Sequence, residues 1–367
     1  MTDQPDSHNN TMAAAEVAFF QHALSTFVKS TATFQVVCTV RSSSRNAAAA
    51  PLAPLAPPTR PRSPVRTLLV LDSSFNPPTV AHMQMAVSAI HDRRKSQERA
   101  RQQGASADRL LLLLSVNNAD KAPKPAAFEQ RLALMLAMAK DMHRALDDAT
   151  AEAGPPPPAV ASTASGSTSP PPAAVATGSD LAIDIGLTSQ PYFHDKSSAI
   201  AASDFYASDA VSSASGPTQT PEQVFLVGYD TLVRIFDPKY YAPAPPATVE
   251  AAGLSPGATP LQVALTPFLR RARLRVTTRP DDQWGSEDAQ EGWLQAVGKL
   301  SGGGGGGDVG EDWTARIDIR PGAYRGEATV SSTMARAAAR EKVWPRLGLL
   351  VGPAVLSWIK RQQLYSE

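Results

Sequence analysis

Short unbroken apolar runs alternate along the chain with stretches whose apolar residues recur every three or four positions. The runs at 67–71 (TLLVL) and 109–116 (RLLLLLSV) are the clearest, and each reads as a strand buried on both faces. The first ends in the turn-forming stretch DSSFNPP, after which Met83, Ala86, Val87 and Ile90 fall on one face of a helix. After the second run, Phe128, Leu132, Met135, Leu136, Ala139 and Met142 mark another amphipathic helix. The segments 181–187, 223–227, 273–278 and 316–319 read as shorter strands, with helical stretches between several of them. Continuous strands separated by helices predict an α/β fold, a parallel sheet covered by helices on both faces. In such sheets ligands bind outside the carboxyl ends of the strands, near the reversal of strand order. Upstream, Val17, Phe20, Leu24, Phe27 and Val28 form a helical stripe and 34–40 reads as a strand, a unit expected to pack on the main core.

Composition limits how much of the 367 residues belongs to that core. Between 149 and 180, 28 of 32 residues are Ala, Pro, Gly, Ser or Thr, a mixture that buries too little side chain to offset its ordering entropy. Similar tracts at 43–64, 207–222, 242–260 and 300–312 read as linkers or insertions. The expected organisation is an N-terminal helix and strand extension with a Pro/Ala-rich linker over 1–64. One domain then follows over 65–367, with disordered insertions at 149–180, 207–222, 242–260 and 300–312.

Charge and cysteine content exclude several classes. Lys plus Arg number 35 against 34 Asp plus Glu, a net charge of +1 that gives no general reason to expect nucleic-acid or anionic-membrane partners. The lone Cys38 excludes a disulfide framework and any multi-cysteine metal site, and suits a reducing compartment. No apolar run approaches the roughly 18–20 residues that cross a bilayer. The start carries Asp3, Asp6 and Glu16 before the first basic residue, Lys29, unlike a secretory or import leader. The expected location is cytoplasmic, nuclear or both.

The strongest candidate chemistry lies directly between the first strand and its helix, in Ser73-Ser74-Phe75-Asn76-Pro77-Pro78-Thr79-Val80-Ala81-His82. A turn at the carboxyl end of a strand, followed by the free N–H groups of a helix start, is a natural cradle for anionic oxygens. Thr79 and His82 are three apart, so both can face one ligand, and a charged His82 would favour a phosphoryl transition state. A lone T-x-x-H is more often a core histidine with a capping threonine; strand, turn and helix coinciding here shift the reading to phosphate handling. The second constellation is Ser331-Ser332-Thr333 with Arg336 one turn further on. Hydroxyls at a helix start cap free N–H groups, and a guanidinium there can reach an anion with paired donors.

These residues resemble a known family. The stretch L-D-S-S-F-N-P-P-T-x-A-H is similar to the first motif of the nucleotidyltransferases that carry [H/T]-x-x-H. It is closest in form to the nicotinamide-mononucleotide adenylyltransferases, in a divergent, fungal-type branch. The stretch around Arg336 resembles the family's I-S-S-T-x-x-R. The end of the chain, from Leu350-Val351-Gly352-Pro353 to Leu364-Tyr365, is similar to the family's closing pattern, with Trp358 for the usual tyrosine, and is read as packing. The resemblance implies a single Rossmann-like nucleotidyltransferase domain. It also implies AMP transfer from ATP to nicotinamide mononucleotide, giving NAD and pyrophosphate, with Mg²⁺ accompanying ATP and no metal held by the protein.

Carried over residue by residue, the resemblance makes His82 and Arg336 the catalytic pair. Ser73, Ser74, Phe75, Thr79, Ser331, Ser332 and Thr333 join them around the ATP phosphates. Asn117 and Lys121, after the second run, and Gly228 and Asp230, after 223–227, fall where the family contacts the mononucleotide and ribose. On the residues alone, Lys121 is more often a plain surface lysine, and Asp230, read first as a site residue, could instead merely cap the helix that follows. Tyr192 or Phe193 could stack on the pyridine or simply pack, and Arg279 could reach phosphate. Ser73 departs from the pattern by replacing the glycine that normally opens G-S-F. That substitution, with the long insertions, leaves two alternatives: transfer to a different phosphate monoester, and a nucleotide-binding regulatory protein without catalysis. No G-x-G-x-x-G, G-x-S-x-G or H-E-x-x-H supports a dehydrogenase, esterase or zinc hydrolase.

Overall fold

The computed structural model describes residues 5–42, 57–99, 109–117, 125–152, 181–207, 220–278, 286–300, 312–322 and 330–366. The elements run α1 (Pro5–Lys29), β1 (Phe34–Arg41), β2 (Thr67–Asp72), α2 (Val80–Arg99), β3 (Arg109–Ser115), α3 (Phe128–Glu152), β4 (Ala182–Thr188) and α4 (Phe193–Ala202). They continue as β5 (Glu222–Gly228), α5 (Tyr229–Ile235), α6 (Pro246–Ala251), α7 (Pro260–Arg271), β6 (Ala272–Thr277), α8 (Glu287–Leu300), β7 (Ile317–Arg320), α9 (Ser332–Arg340), α10 (Trp344–Leu350) and α11 (Pro353–Gln362). Each strand expected from an apolar run is present, shifted by a residue or two at its ends.

The seven strands form one sheet in the order β1-β4-β3-β2-β5-β6-β7. All neighbours are parallel except β1, which lies antiparallel on β4 and closes that edge with the N-terminal unit. From β2 the chain steps outward through β3 to β4, then crosses back to lay β5 along the other side of β2. This is the doubly wound α/β order, and its reversal falls between β2 and β5. The loops leaving those two strands therefore open side by side.

Two apolar layers explain why the central strands read as unbroken runs. Leu69, Leu71, Leu110, Leu112 and Leu114 pack on one face with α1, α3 and α9 to α11, while Leu68, Val70, Leu111 and Leu113 pack on the other with α4, α5 and α7. Leu110 to Leu114 are all essentially inaccessible to solvent. Each such side chain contributes about 1.5–3 kcal/mol.

The C-terminal helices are held to this core by a polar device. Asp141 on α3 accepts from the backbone N–H of Ala354 at 3.0 Å and of Val355 at 3.4 Å, capping α11 from another helix. A Cβ at Gly352 would stand 2.2 Å from the Asp141 carboxylate, so any larger residue would force that carboxylate to move. The reading of 242–260 as a disordered insertion is corrected: it holds α6, which starts on proline and buries Val249, and Thr259, whose side chain closes a capping box with Gln262. Proline is a good first residue for a helix, so a proline-rich tract can start one where an apolar side chain has a core to enter. Most of the other low-complexity tracts lie outside the described residues.

Candidate active site

The loop that leaves β2 begins on a buried ion pair. Lys196 Nζ on α4 lies 2.6 Å from Asp72 Oδ2, and both side chains are almost fully enclosed. Ser73 N–H extends the β2–β3 ladder by bonding Leu113 O at 3.3 Å. Phe75 then takes a left-handed backbone, φ 45°, while its ring is fully buried in the core. A non-glycine residue in that region costs energy, here offset by the buried aromatic ring. The Asn76–Pro77 peptide is cis. Thr79 precedes the first turn of α2, with Met83 N–H on its carbonyl at 3.2 Å.

His82 sits under this loop with both ring nitrogens engaged. Thr79 N–H donates to Nδ1 at 3.1 Å, Thr79 Oγ1 lies 2.8 Å from the same nitrogen, and Nε2 lies 2.9 Å from Ser73 Oγ. A backbone N–H can only donate, so Nδ1 accepts and the ring proton resides on Nε2. Burial pushes the imidazole pKa from its ordinary 6.5 to about 4, with the nearby Asp230 charge pulling weakly the other way. The ring is therefore neutral at pH 7. The expectation of a charged His82 is corrected: the histidine is held by a donor that the charged form would repel.

The second constellation meets the first. Ser331 caps α9 by accepting from Met334 N–H at 3.2 Å. Ser332 Oγ donates to Pro77 O at 2.8 Å, and Arg336 Nη1 donates to Asn76 O at 2.7 Å. Arg336 Nη2 also holds Thr333 Oγ1 at 3.0 Å. The open ends of α2 and α9 thus lie together across one loop, although more than 250 residues separate them in the chain.

The remaining predicted residues divide by position. Gly228 ends β5, and a Cβ there would come within 2.9 Å of Asp230 Oδ1, so the small residue lets that carboxylate fold back toward the loop. Among the described residues the Asp230 carboxylate accepts no hydrogen bond, and α5 already begins at Tyr229, one residue before it. Asn117, at the end of β3, is spent on structure: its Nδ2 donates to Ser189 O at 2.9 Å, tying together the loops after β3 and β4. Lys121 and Arg279 lie outside the described residues. Phe193 faces the core, edge-on to Phe225. Tyr192 instead stacks on His194 at 5.7 Å and lies near Tyr240.

Three contributors escaped the sequence reading. The Asp72–Lys196 pair was invisible because its partners are 124 positions apart. Tyr365, read as packing, also donates its hydroxyl to Asn76 Oδ1 at 2.9 Å. Arg131 on α3 is buried beneath the Phe128 ring, and the charge of Arg336 adds to burial in lowering its pKa. A proline-turn loop and two helix starts at the switch point of a doubly wound sheet define the class as an α/β fold, with these residues gathered where such sheets bind ligands.

Comparison with known proteins agrees with the motif resemblance. No family model matches the chain. Over 176 residues it is 30% identical to a curated protein of Schizosaccharomyces pombe whose printed name is "Putative nicotinamide mononucleotide adenylyltransferase". That match covers 48% of this chain and 45% of the relative, so the chain spans about half the length of the curated protein it matches. Solved structures of Plasmodium falciparum nicotinic acid mononucleotide adenylyltransferase, complexed with NaAD and with APC, align over 82% of this chain and 98% of theirs. They do so at 9% identity and a TM-score of 0.33. The chain is similar to the nicotinamide-mononucleotide adenylyltransferases at the level its motifs led one to expect. Among the described residues no helix is long and apolar enough to cross a membrane.

Proposed function

We propose that the chain is a nucleotidyltransferase that moves AMP from ATP to nicotinamide mononucleotide, forming NAD and pyrophosphate. The observation that carries this reading is the hydrogen-bonded meeting of the two helix mouths, Ser332 on Pro77 O and Arg336 on Asn76 O. These two bonds bring the start of α9 against the loop that opens α2, so the free N–H groups of both helix starts would serve one triphosphate.

In this reading an oxygen of the mononucleotide's 5′-phosphate bonds to the α-phosphorus of ATP as the bond from that phosphorus to the bridging oxygen breaks, releasing pyrophosphate. The attacking phosphate is anionic at neutral pH, so no general base is needed. The chain's contribution is position and charge. Ser73, the Ser74–Phe75 backbone, Thr79 and His82 would line the transferring phosphate. Ser331 would keep α9 capped and Ser332, its hydroxyl hydrogen spent on Pro77 O, would hold α9 against the loop, while Thr333 and the remaining N–H groups of Arg336 would hold the departing pyrophosphate. Asp230, with no hydrogen-bond donor on its carboxylate among the described residues and Gly228 making room for it, would accept a ribose hydroxyl. Among the described residues no cluster of His, Cys, Asp or Glu could hold a metal ion. Mg²⁺ would therefore arrive on the ATP oxygens and lower their repulsion.

The test is incubation of the purified chain with Mg-ATP and, in parallel, nicotinamide mononucleotide, nicotinate mononucleotide or phosphopantetheine, reading pyrophosphate and the dinucleotide product. NAD from the first acceptor at the highest rate is expected. Preference for nicotinate mononucleotide would revise the acceptor alone, and no pyrophosphate with any acceptor would sink the reading.

A further inference from the structure

Ser73 occupies the position where the motif that this loop resembles has glycine, and its hydroxyl is hydrogen-bonded to the catalytic-site histidine. We infer that the Ser73 hydroxyl, not the His82 ring, makes the hydrogen bond to the nucleotide phosphate, and that His82 is a positioning residue acting through it. The inference rests on the phosphate reading of the site proposed above.

The protons around His82 decide between ring and hydroxyl. Thr79 N–H occupies the Nδ1 lone pair, so the neutral ring has one donor, Nε2–H. That donor is aimed at Ser73 Oγ, 2.9 Å away, and with it spent the ring has nothing left to offer an anion. The serine oxygen, in accepting it, keeps its own hydrogen. Among the described residues no acceptor takes that hydrogen. Ser73 is the first residue beyond β2, half-exposed at the point where strand order reverses. A hydroxyl that already accepts one hydrogen bond is also a stronger donor for the next, since bonds in a chain polarise one another. The serine thereby stands as one link between Nε2–H and any anion at the loop.

The competing arrangement is that Ser73 turns aside when nucleotide arrives and His82 donates directly. A cycle of four proteins separates the two: wild type, Ser73→Gly, His82→Ala and the double variant. Ser73→Ala and Ser73→Thr would be included as controls for backbone freedom and for the hydroxyl. Mg-ATP affinity by calorimetry and turnover of pyrophosphate release are measured on each, with thermal unfolding to establish folding. The relay predicts that Ser73→Gly, Ser73→Ala and His82→Ala each lower turnover about 100-fold. It also predicts that the double variant is no worse than either single one, and that Ser73→Thr recovers most of the loss. Should Ser73→Gly keep or raise turnover while His82→Ala still costs its full amount in that background, the direct contact is right and the relay is wrong. Calorimetry keeps the two claims apart. Non-additive loss of Mg-ATP affinity without NAD formation would sustain the relay and sink the acceptor assignment. Absence of Mg-ATP binding by the wild-type chain would overturn both.

Discussion

Replacing Lys196 by methionine tests whether the active-site loop stands on a buried ion pair. The native pair has a Nζ–Oδ2 separation of 2.6 Å, with side chains only 6% and 8% exposed, and the ammonium also lies 5.1 Å from the Phe193 ring centroid. At an effective dielectric constant of about 20, the gross attraction at that separation is roughly 6 kcal/mol, most of it offset by the cost of taking both charges out of water. The net value of the pair is therefore small, but the asymmetry is large. Methionine preserves the bulk of the lysine stem and leaves Asp72 charged, enclosed and alone, which costs about 3–5 kcal/mol. Asp72 immediately precedes Ser73, so the same change should also disturb the loop between β2 and α2. Equilibrium urea unfolding at neutral pH gives the stability difference directly, and the Asp72→Asn, Lys196→Met double variant completes a cycle. The double variant is expected to regain most of what the single one loses, because the stranded charge is gone. A Lys196→Met protein within about 1 kcal/mol of wild type, or a double variant as unstable as the single one, would refute the reasoning.

Further outcomes follow from the same geometry. Gly352→Ala should destabilise by about 2 kcal/mol in the same urea assay, since its Cβ would drive the Asp141 carboxylate off the start of α11. Arg336→Lys should lower turnover at least tenfold and raise the KM for ATP, because an ammonium cannot hold Asn76 O and Thr333 Oγ1 while pairing with phosphate; unchanged kinetics would remove Arg336 from the site. His82 makes stability depend on pH. Its folded pKa of about 4 lies below the ordinary 6.5, so on acidification the unfolded chain takes up the proton first. Its contribution is intact above about pH 6.5 and is lost progressively as pH falls toward 4, to a ceiling of about 3 kcal/mol. Unfolding measured across that window should fall less steeply for His82→Gln, and parallel curves would contradict a neutral ring.

The alternation of strands and helices was readable because each central strand is apolar on both faces, leaving an unbroken run such as Leu110 to Leu114. The turn from β2 into α2 was readable for a related reason, since Ser73 to His82 is contiguous and its turn chemistry is local. What misled was equally physical. The proline-rich 242–260 looked unable to fold, yet proline at a helix start and a single buried Val249 suffice for α6. The charge state of His82 was misjudged because it depends on desolvation and on the direction of one backbone N–H, neither of which residue spacing encodes. The Asp72–Lys196 pair and the Tyr365–Asn76 bond join positions far apart in the chain.

Periodicity and turn residues settled the α/β class and the turn after β2, because secondary structure and tight turns arise from interactions a few residues apart. The folded molecule alone decided that the mouth of α9 closes on Asn76 and Pro77, that Gly228 and Asp230 open beside them, and that His82 is neutral and bound to Ser73. Those outcomes depend on strand order and on burial, which emerge only when distant segments pack against one another.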